Sequence, residues 1–134
     1  MPARSRIEDF ARNVLGCDCP DEVFKVIECQ QGDAPRETPY SFRIAIGGRL
    51  LVYILETDDL EVVRKGLPEM LSAGKAERDE KGMNRFRAVV STDDTETLED
   101  AAKGIFEDFA EKDEKIHLHV LKKGDVAGVH AECG

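Results

Sequence analysis

Several features are missing or scarce in this sequence. No apolar run approaches the ~20 residues that a membrane span needs, so we expect no membrane anchor. Residues 1–6 carry two arginines without an apolar segment after them, so we also expect no signal peptide and a cytoplasmic location. Lys and Arg number 19 against 28 Asp and Glu, and the net charge of −9 repels nucleic-acid phosphates and anionic lipids. Nucleic acid and membrane are therefore not expected partners, whereas a protein partner or a homo-oligomer stays open.

Cysteine is also scarce, with four residues among 134. A domain of this length buries roughly two-thirds of its unfolded surface and folds without cross-links. In a reducing compartment such cysteines are more plausibly free, metal-bound or catalytic than structurally bridged. The sequence has no Gly-x-Gly-x-x-Gly or Walker-type loop, and no Ser/His/Asp set stands out. Whether the protein is an enzyme is therefore left open.

The N-terminal part predicts a helix followed by a strand. Ser5 to Glu8 has the form of a capping box, and Gly16 is a typical helix stop. Between them an apolar stripe has helical spacing, formed by Ile7, Phe10, Ala11, Val14 and Leu15. A strand is predicted over 25–30, which places Cys29 near its end.

The next segment predicts an antiparallel hairpin. Phe42, Ile44 and Ile46 alternate with Arg43 and Ala45, as in a strand with one buried and one polar face. Gly47-Gly48 suits a tight turn, because both central residues of the favoured turn need positive φ. The partner strand over 49–56 is almost continuously apolar, which indicates a strand packed on both faces.

An internal repeat follows, because residues 55–59 (LETDD) are echoed by residues 90–94 (VSTDD). Each copy leads from a strand into a capped helix with an acidic first turn. The helices are predicted over 59–73 and 94–112, the charged stretch 74–84 as a solvated loop, and a last strand over 116–121.

Together these elements predict one α/β domain over 1–123 and a mobile tail over 124–134. The fold class is a two-layer sandwich with a mixed β-sheet, in which an antiparallel hairpin precedes two strand-helix-strand units. A ferredoxin-like arrangement is one version of this class.

The cysteines form the main candidate site. Cys17, Cys19 and Cys29 supply three soft thiolates for zinc or an iron–sulfur cluster, and a closed zinc site usually has four ligands. The fourth could be Cys133, His130 or the carboxylate of Asp18. The usual signature is two Cys-x-x-Cys pairs, so Cys-x-Cys with one distant thiol matches it only partly.

Two other interpretations of the cysteines stay open. Cys19 precedes Pro20, and a helical turn starting there would lower its thiol pKa through nearby backbone N–H groups and favour redox chemistry. The neighbouring acidic side chains of Asp18, Asp21 and Glu22 would instead raise this thiol pKa. Alternatively the cysteines are simply buried structural residues, as is common for this side chain.

Other polar pairs have simpler explanations. His117 and His119 would share one face of a strand and could chelate an ion, but they more plausibly form its polar face while Ile116, Leu118 and Val120 fill the core. The repeated Asp-Asp pairs at 58–59 and 93–94 fit helix capping better than acid–base catalysis.

The segment 15–24 (LGCDCPDEVF) resembles the N-terminal motif L-G-C-x-C-P-x-E-V-F of small uncharacterised prokaryotic proteins, a resemblance that implies no function. The leading hypothesis is a small cytoplasmic metal-binding or thiol-redox module that uses the Cys-x-Cys-Pro cluster. The alternative is a non-enzymatic protein-interaction or subunit domain with structural cysteines.

Overall fold

The protein folds into a five-stranded mixed β-sheet with two long helices packed on one side. The computed structural model describes residues 10–15, 26–33, 38–109, 113–126 and 129. The predicted α/β class, with a two-layer sheet-and-helix sandwich, is confirmed. Its strands and helices are β1 (Ile27–Gln31), β2 (Phe42–Ile46), β3 (Leu50–Glu56), α1 (Leu60–Lys81), β4 (Arg85–Ser91), α2 (Thr95–Asp108) and β5 (Ile116–Leu121). Neither long helix is apolar enough to cross a membrane, as judged on the described ranges.

The strands lie side by side in chain order, from β1 to β5. The pairs β1–β2 and β2–β3 are antiparallel, and the pairs β3–β4 and β4–β5 are parallel. A ferredoxin-like fold follows the element order β-α-β-β-α-β. The observed order, β-β-β-α-β-α-β, differs from it, because each helical crossover connects two neighbouring strands and no strand is inserted between them.

The hairpin between β2 and β3 turns at Gly47 and Gly48, as predicted. Their φ angles are 59° and 67°, in the left-handed region that favours glycine. β3 is buried on both faces from Leu50 to Leu55, which confirms its central position.

The side of the sheet that carries the helices is called here the helix face, and the opposite side the far face. On the helix face, Leu51 and Phe86 pack against Leu67 and Leu98 of the two helices. On the far face, a second apolar cluster joins strand residues such as Ile44 to Phe10, Ala11 and Leu15. The sheet is therefore buried on both sides over much of its area.

Burial on both faces of the sheet corrects the prediction for β2, because the helix-face cluster covers Ala45 and the long helix covers Arg43. All five of its residues are buried, including Arg43 and Ala45, which were expected on a polar face. The covering segments, Phe10–Val14 in a π-helical turn and Lys123–Val126 in a 3-10 turn, contact each other. Val126 and Val129 are fully buried, so these two residues of the predicted mobile tail belong to the core.

The charged stretch 74–84 is mostly helical and not the loop that was predicted. Helix α1 continues to Lys81 and ends at Gly82, whose φ is 67°. Lys75 Nζ lies 2.7 Å from an Asp79 carboxylate oxygen four residues later. Opposite charges four residues apart stabilise an exposed helix, so a charged stretch is compatible with a helix as well as with a loop. Pro68 lies inside the helix without ending it.

Candidate functional site

Most of the predicted metal ligands lie outside the described part of the chain. This applies to Cys17, Cys19, His130 and Cys133, so the site they would form stays a prediction. Cys29 lies on β1, half-buried, and packs against the apolar cluster of the far face. It is bonded in a disulfide, and its partner cysteine lies outside the described residues. The structure therefore holds the Cys29 sulfur in its oxidised form.

Cys29 is the first residue of a row that crosses the whole far face. The strand register aligns five residues on this side, one from each strand: Cys29, Ile44, Val52, Arg87 and His117. Neighbouring strands are about 4.8 Å apart, so the Cα atoms of Cys29 and Arg87 are separated by about 14 Å. The row therefore has a sulfur group at one end and the guanidinium of Arg87 near the other, with two buried apolar residues between them.

At the cationic end, Arg87 contacts His119. Arg87 Nη1 lies 3.1 Å from His119 Nε2. Because a guanidinium can only donate, Nε2 accepts this hydrogen bond and the imidazole proton is on Nδ1. Burial, followed by the charge of Arg87, lowers the pKa of His119 to about 4, so the ring is neutral at pH 7.

The other histidine of β5, His117, lies on the same face but is more exposed. Burial lowers the pKa of His117, and the charges of Arg87 and Arg85 lower it further. Leu118 and Val120 pack on the helix face, as predicted, so both histidines lie on the far face. His119 Nε2 already binds Arg87. The structure therefore gives no support to the idea that His117 and His119 chelate a metal ion together.

A second buried polar cluster lies on the helix face, between β2, β3 and α1. Arg43 Nε donates to both carboxylate oxygens of Glu77, at 2.9 and 3.0 Å, and Tyr53 Oη also donates to this carboxylate. Lys81 Nζ donates to Glu77 at 2.8 Å. The hydrogen bonds from Arg43, opposed by burial, lower the pKa of Glu77 to about 2. All members have partners, so this cluster stabilises the packing of α1 on the sheet.

The repeated Thr-Asp-Asp turns meet at the carboxyl ends of the parallel strands, where open α/β sheets often bind ligands. Asp59 and Asp94 cap α1 and α2, as predicted. Asp58 Oδ1 accepts from Thr92 Oγ1 at 2.9 Å, and its other oxygen lies 2.8 Å from Lys123 Nζ. The hydrogen bond from Lys123 is the main cause that lowers the pKa of Asp58 to about 2. The turns therefore bind each other, and the carboxylates are engaged in capping and cross-linking.

No metal centre is visible within the described ranges. They contain no group of three His, Cys, Asp or Glu side chains able to hold an ion. The zinc or iron–sulfur site consequently depends on the cysteines and His130 that lie outside those ranges, with Cys29 as its one described member.

The sequence did not point to Arg87 as a functional residue. It lies at an alternate position of β4, where an arginine is normally expected to reach solvent. Its burial follows from the second apolar cluster, which covers the far face. The apolar stripe of Phe10, Ala11 and Leu15 did indicate that the far face is covered. A stripe that lies outside the strand-helix units must be buried against another surface of the domain.

Comparisons with known proteins place no further constraint on this site. No protein-family model, curated protein or solved structure matches the chain. The resemblance of segment 15–24 to small prokaryotic proteins therefore stays a prediction, and the functional argument depends on the geometry alone.

Proposed function

We propose that the protein is a small thiol-redox module whose reactive group is the disulfide of Cys29. The observation that carries this proposal is the disulfide itself, in a domain that has an apolar core on each side of its sheet. Such a fold has no need of a cross-link for stability. In a reducing compartment such as the cytoplasm, disulfides of this kind are usually transient, catalytic or redox-sensing.

The proposed reaction is thiol–disulfide exchange with a dithiol. A thiolate of the dithiol attacks one sulfur of the Cys29 disulfide, and the other sulfur leaves as a thiolate. The second thiol of the reductant then attacks the mixed disulfide and releases the attached cysteine. Two electrons and two protons pass to the protein, which ends with two thiols, and the reductant ends as a disulfide.

The reduced form would be the state that binds metal. Cys29 would then be a ligand together with Cys17 and Cys19, and Cys133 or His130 would be an optional fourth. Thiolates favour zinc or an iron–sulfur cluster, and binding requires that the thiols lose their protons. Oxidation of Cys29 removes two cysteine ligands, its own sulfur and that of its disulfide partner, so redox state and metal content are expected to be linked.

The test is a thiol count combined with a metal assay on protein purified without oxygen. The protein is equilibrated in glutathione buffers of graded potential, and free thiols are alkylated and counted by mass spectrometry. We expect two thiols to titrate together at a potential above about −300 mV, since structural disulfides of secreted proteins lie below this value. Cys29→Ser should abolish the titration.

The proposal is wrong if the disulfide resists every buffer, or if the thiols never reoxidise. Zinc and iron are measured on the reduced wild type and on Cys17→Ser and Cys19→Ser. Metal that is present in the wild type and lost in these variants supports the metal-binding form. Absence of metal in all of them restricts the function to thiol exchange.

A protein-interaction domain is the second candidate, and one observation favours it. Val26 is 62% exposed next to β1, which is an edge strand of the sheet. A depression of about 240 Å³ lies beside it, lined in part by Glu28, Arg43 and Lys81. Light scattering of the wild type and Val26→Ser tests this function: a dimer that Val26→Ser dissociates, and that Cys29→Ser leaves intact, supports it over thiol exchange.

A further inference from the structure

Among the residues that the structure describes, three arginines are almost fully buried. Their exposed fractions are 5% for Arg43, 6% for Arg78 and 8% for Arg87. A buried guanidinium is costly unless an anion or a full set of hydrogen bonds compensates its charge. The partners of these three side chains can therefore be compared directly.

Two of the three hold a carboxylate on the same edge of the guanidinium, the edge formed by Nε and Nη2. In Arg43, both of these nitrogens donate to Glu77. In Arg78, they donate to Asp79 Oδ1 at 3.2 and 2.9 Å, and Asp113 binds the Nη1 and Nη2 side. This edge presents two parallel N–H groups, which match two oxygens of a carboxylate or a phosphate.

Arg87 differs from the other two. Its Nη1 is engaged by His119, but its Nε is buried and has no hydrogen-bond partner. Within the described ranges no carboxylate forms an ion pair with Arg87 or with its neighbour Arg85, whereas Arg43 and Arg78 each form such pairs. The edge that binds an anion in the other two arginines is therefore unfilled in Arg87.

The surroundings of Arg87 are also cationic. Arg85 lies two residues earlier on the same face of β4, and His117 is directly opposite Arg87 on β5. Arg85 and His117 are both exposed, so this patch reaches the solvent. In a chain with a net charge of −9, a patch with two arginines that pair with no carboxylate of the described segments is complementary to an anion.

We propose that Arg87 binds a small oxyanion, a phosphate or a carboxylate, through its Nε–Nη2 edge at the β4–β5 end of the far face. His119 acts as a positioning residue, because its neutral ring accepts from Nη1 and fixes the plane of the guanidinium. Arg85 adds positive charge at the entrance. The site uses none of the cysteines, so it is independent of the proposed thiol chemistry.

The first test is an NMR titration of the arginine Nε–H groups in ¹⁵N-labelled protein. Inorganic phosphate and succinate are added separately, with sodium chloride at matched ionic strength as a control. We expect the Arg87 Nε–H signal to shift with saturation, while that of Arg43 stays in place because Glu77 fills its edge. The anion that binds more tightly identifies the ligand class.

The second test uses Arg87→Lys, which keeps the positive charge but cannot donate two parallel hydrogen bonds to one anion. Calorimetric affinity for the better anion should fall by roughly tenfold or more. Arg64→Lys is the control, since Arg64 is an exposed arginine of α1 paired with Glu61. The affinity of this variant for the anion should equal that of the wild type.

Three results would overturn the proposal: no shift of Arg87 Nε–H with either anion, an equal shift with chloride, or equal affinity in Arg87→Lys and the wild type. The wild-type titration decides the matter even if Arg87→Lys does not fold. His119→Gln gives a further readout, because a Gln side chain can still accept from Nη1 and should retain most of the affinity.

Discussion

Arg43 Nε donates to both carboxylate oxygens of Glu77, and this pair joins β2 to the last turns of α1. The side chains are 6% and 15% exposed, so the two charges are largely removed from water. Removing one partner of such a pair leaves the other charge uncompensated. The stability of the long helix on its sheet therefore depends on this contact.

Glu77→Gln should lower the free energy of unfolding by about 3 kcal/mol, because it leaves the Arg43 guanidinium without its anion. Urea denaturation measures the change. Glu61→Gln is the matched control, since it removes an exposed carboxylate of the same helix, paired with Arg64, and should cost no more than about 0.5 kcal/mol. Equal losses in the two variants would contradict the structural role of Glu77.

Gly74→Ala should destabilise the protein by about 1 to 3 kcal/mol. A Cβ at this position would lie 2.0 Å from Cζ of Phe86, so α1 would have to move away from β4. Gly104→Ala is the opposite case on α2, because a Cβ there meets no atom within 4 Å. It should stabilise the protein by about 0.5 to 1 kcal/mol through better helix propensity. Thermal melts of both variants check this, and a shift of the same sign in the two would contradict it.

His119 should make stability depend on pH between about 6.5 and 4. Its pKa falls from 6.5 when unfolded to about 4 in the fold, so within this window the unfolded chain binds a proton that the folded chain does not. Stability is therefore complete above pH 6.5 and decreases as the pH falls towards 4. After allowance for solvent screening the loss is about 1 to 2 kcal/mol.

The measurement is urea unfolding across this range in the wild type and in His119→Gln, which does not titrate. The variant should have a flatter profile between pH 6.5 and 4. Below this window both proteins should lose stability together, because the pKa of Glu77 is lowered from 4.5 to about 2 and its contribution is lost as the pH falls through 2. Identical slopes above pH 4 would show that His119 does not titrate as expected.

Reduction of the Cys29 disulfide should leave the fold intact. Both apolar clusters consist of side chains that do not depend on the cross-link, so far-ultraviolet circular dichroism should stay unchanged after treatment with a dithiol. The free energy of unfolding should fall by no more than about 2 to 4 kcal/mol, the usual contribution of a disulfide. Loss of the cooperative melt on reduction would show instead that the disulfide is structural.

Much of the fold could be predicted from sequence patterns because they report local geometry. The alternation in β2, the Gly47-Gly48 turn and the helix caps at Asp59 and Asp94 all follow from residues close in sequence. The charged stretch 74–84 was misassigned because charges at a spacing of four suit both an exposed helix and a solvated loop. Only its packing decides between them, as shown by Glu77, which reaches β2 and β3.

The candidate site at Arg87 could not be predicted for a different reason. Whether a strand arginine is buried depends on what covers that face, and the covering residues come from segments distant in sequence, Phe10–Val14 and Lys123–Val126. Whether it is paired depends on strand register, which places His117, and not a carboxylate, opposite Arg87. Neither property has a signature in the residues around position 87.

The order of the strands has a consequence for how the chain folds. Every strand pairs only with strands next to it in sequence, so the sheet can grow one strand at a time from β1 to β5. The parallel pairs β3–β4 and β4–β5 join residues 35 and 30 positions apart, so we expect them to form more slowly than the hairpin of β2 and β3. The far face has still longer connections, because the segments Phe10–Val14 and Lys123–Val126 meet there. This layer can close only after the last strand is in place, so we expect burial of Arg87 to be among the final steps of folding.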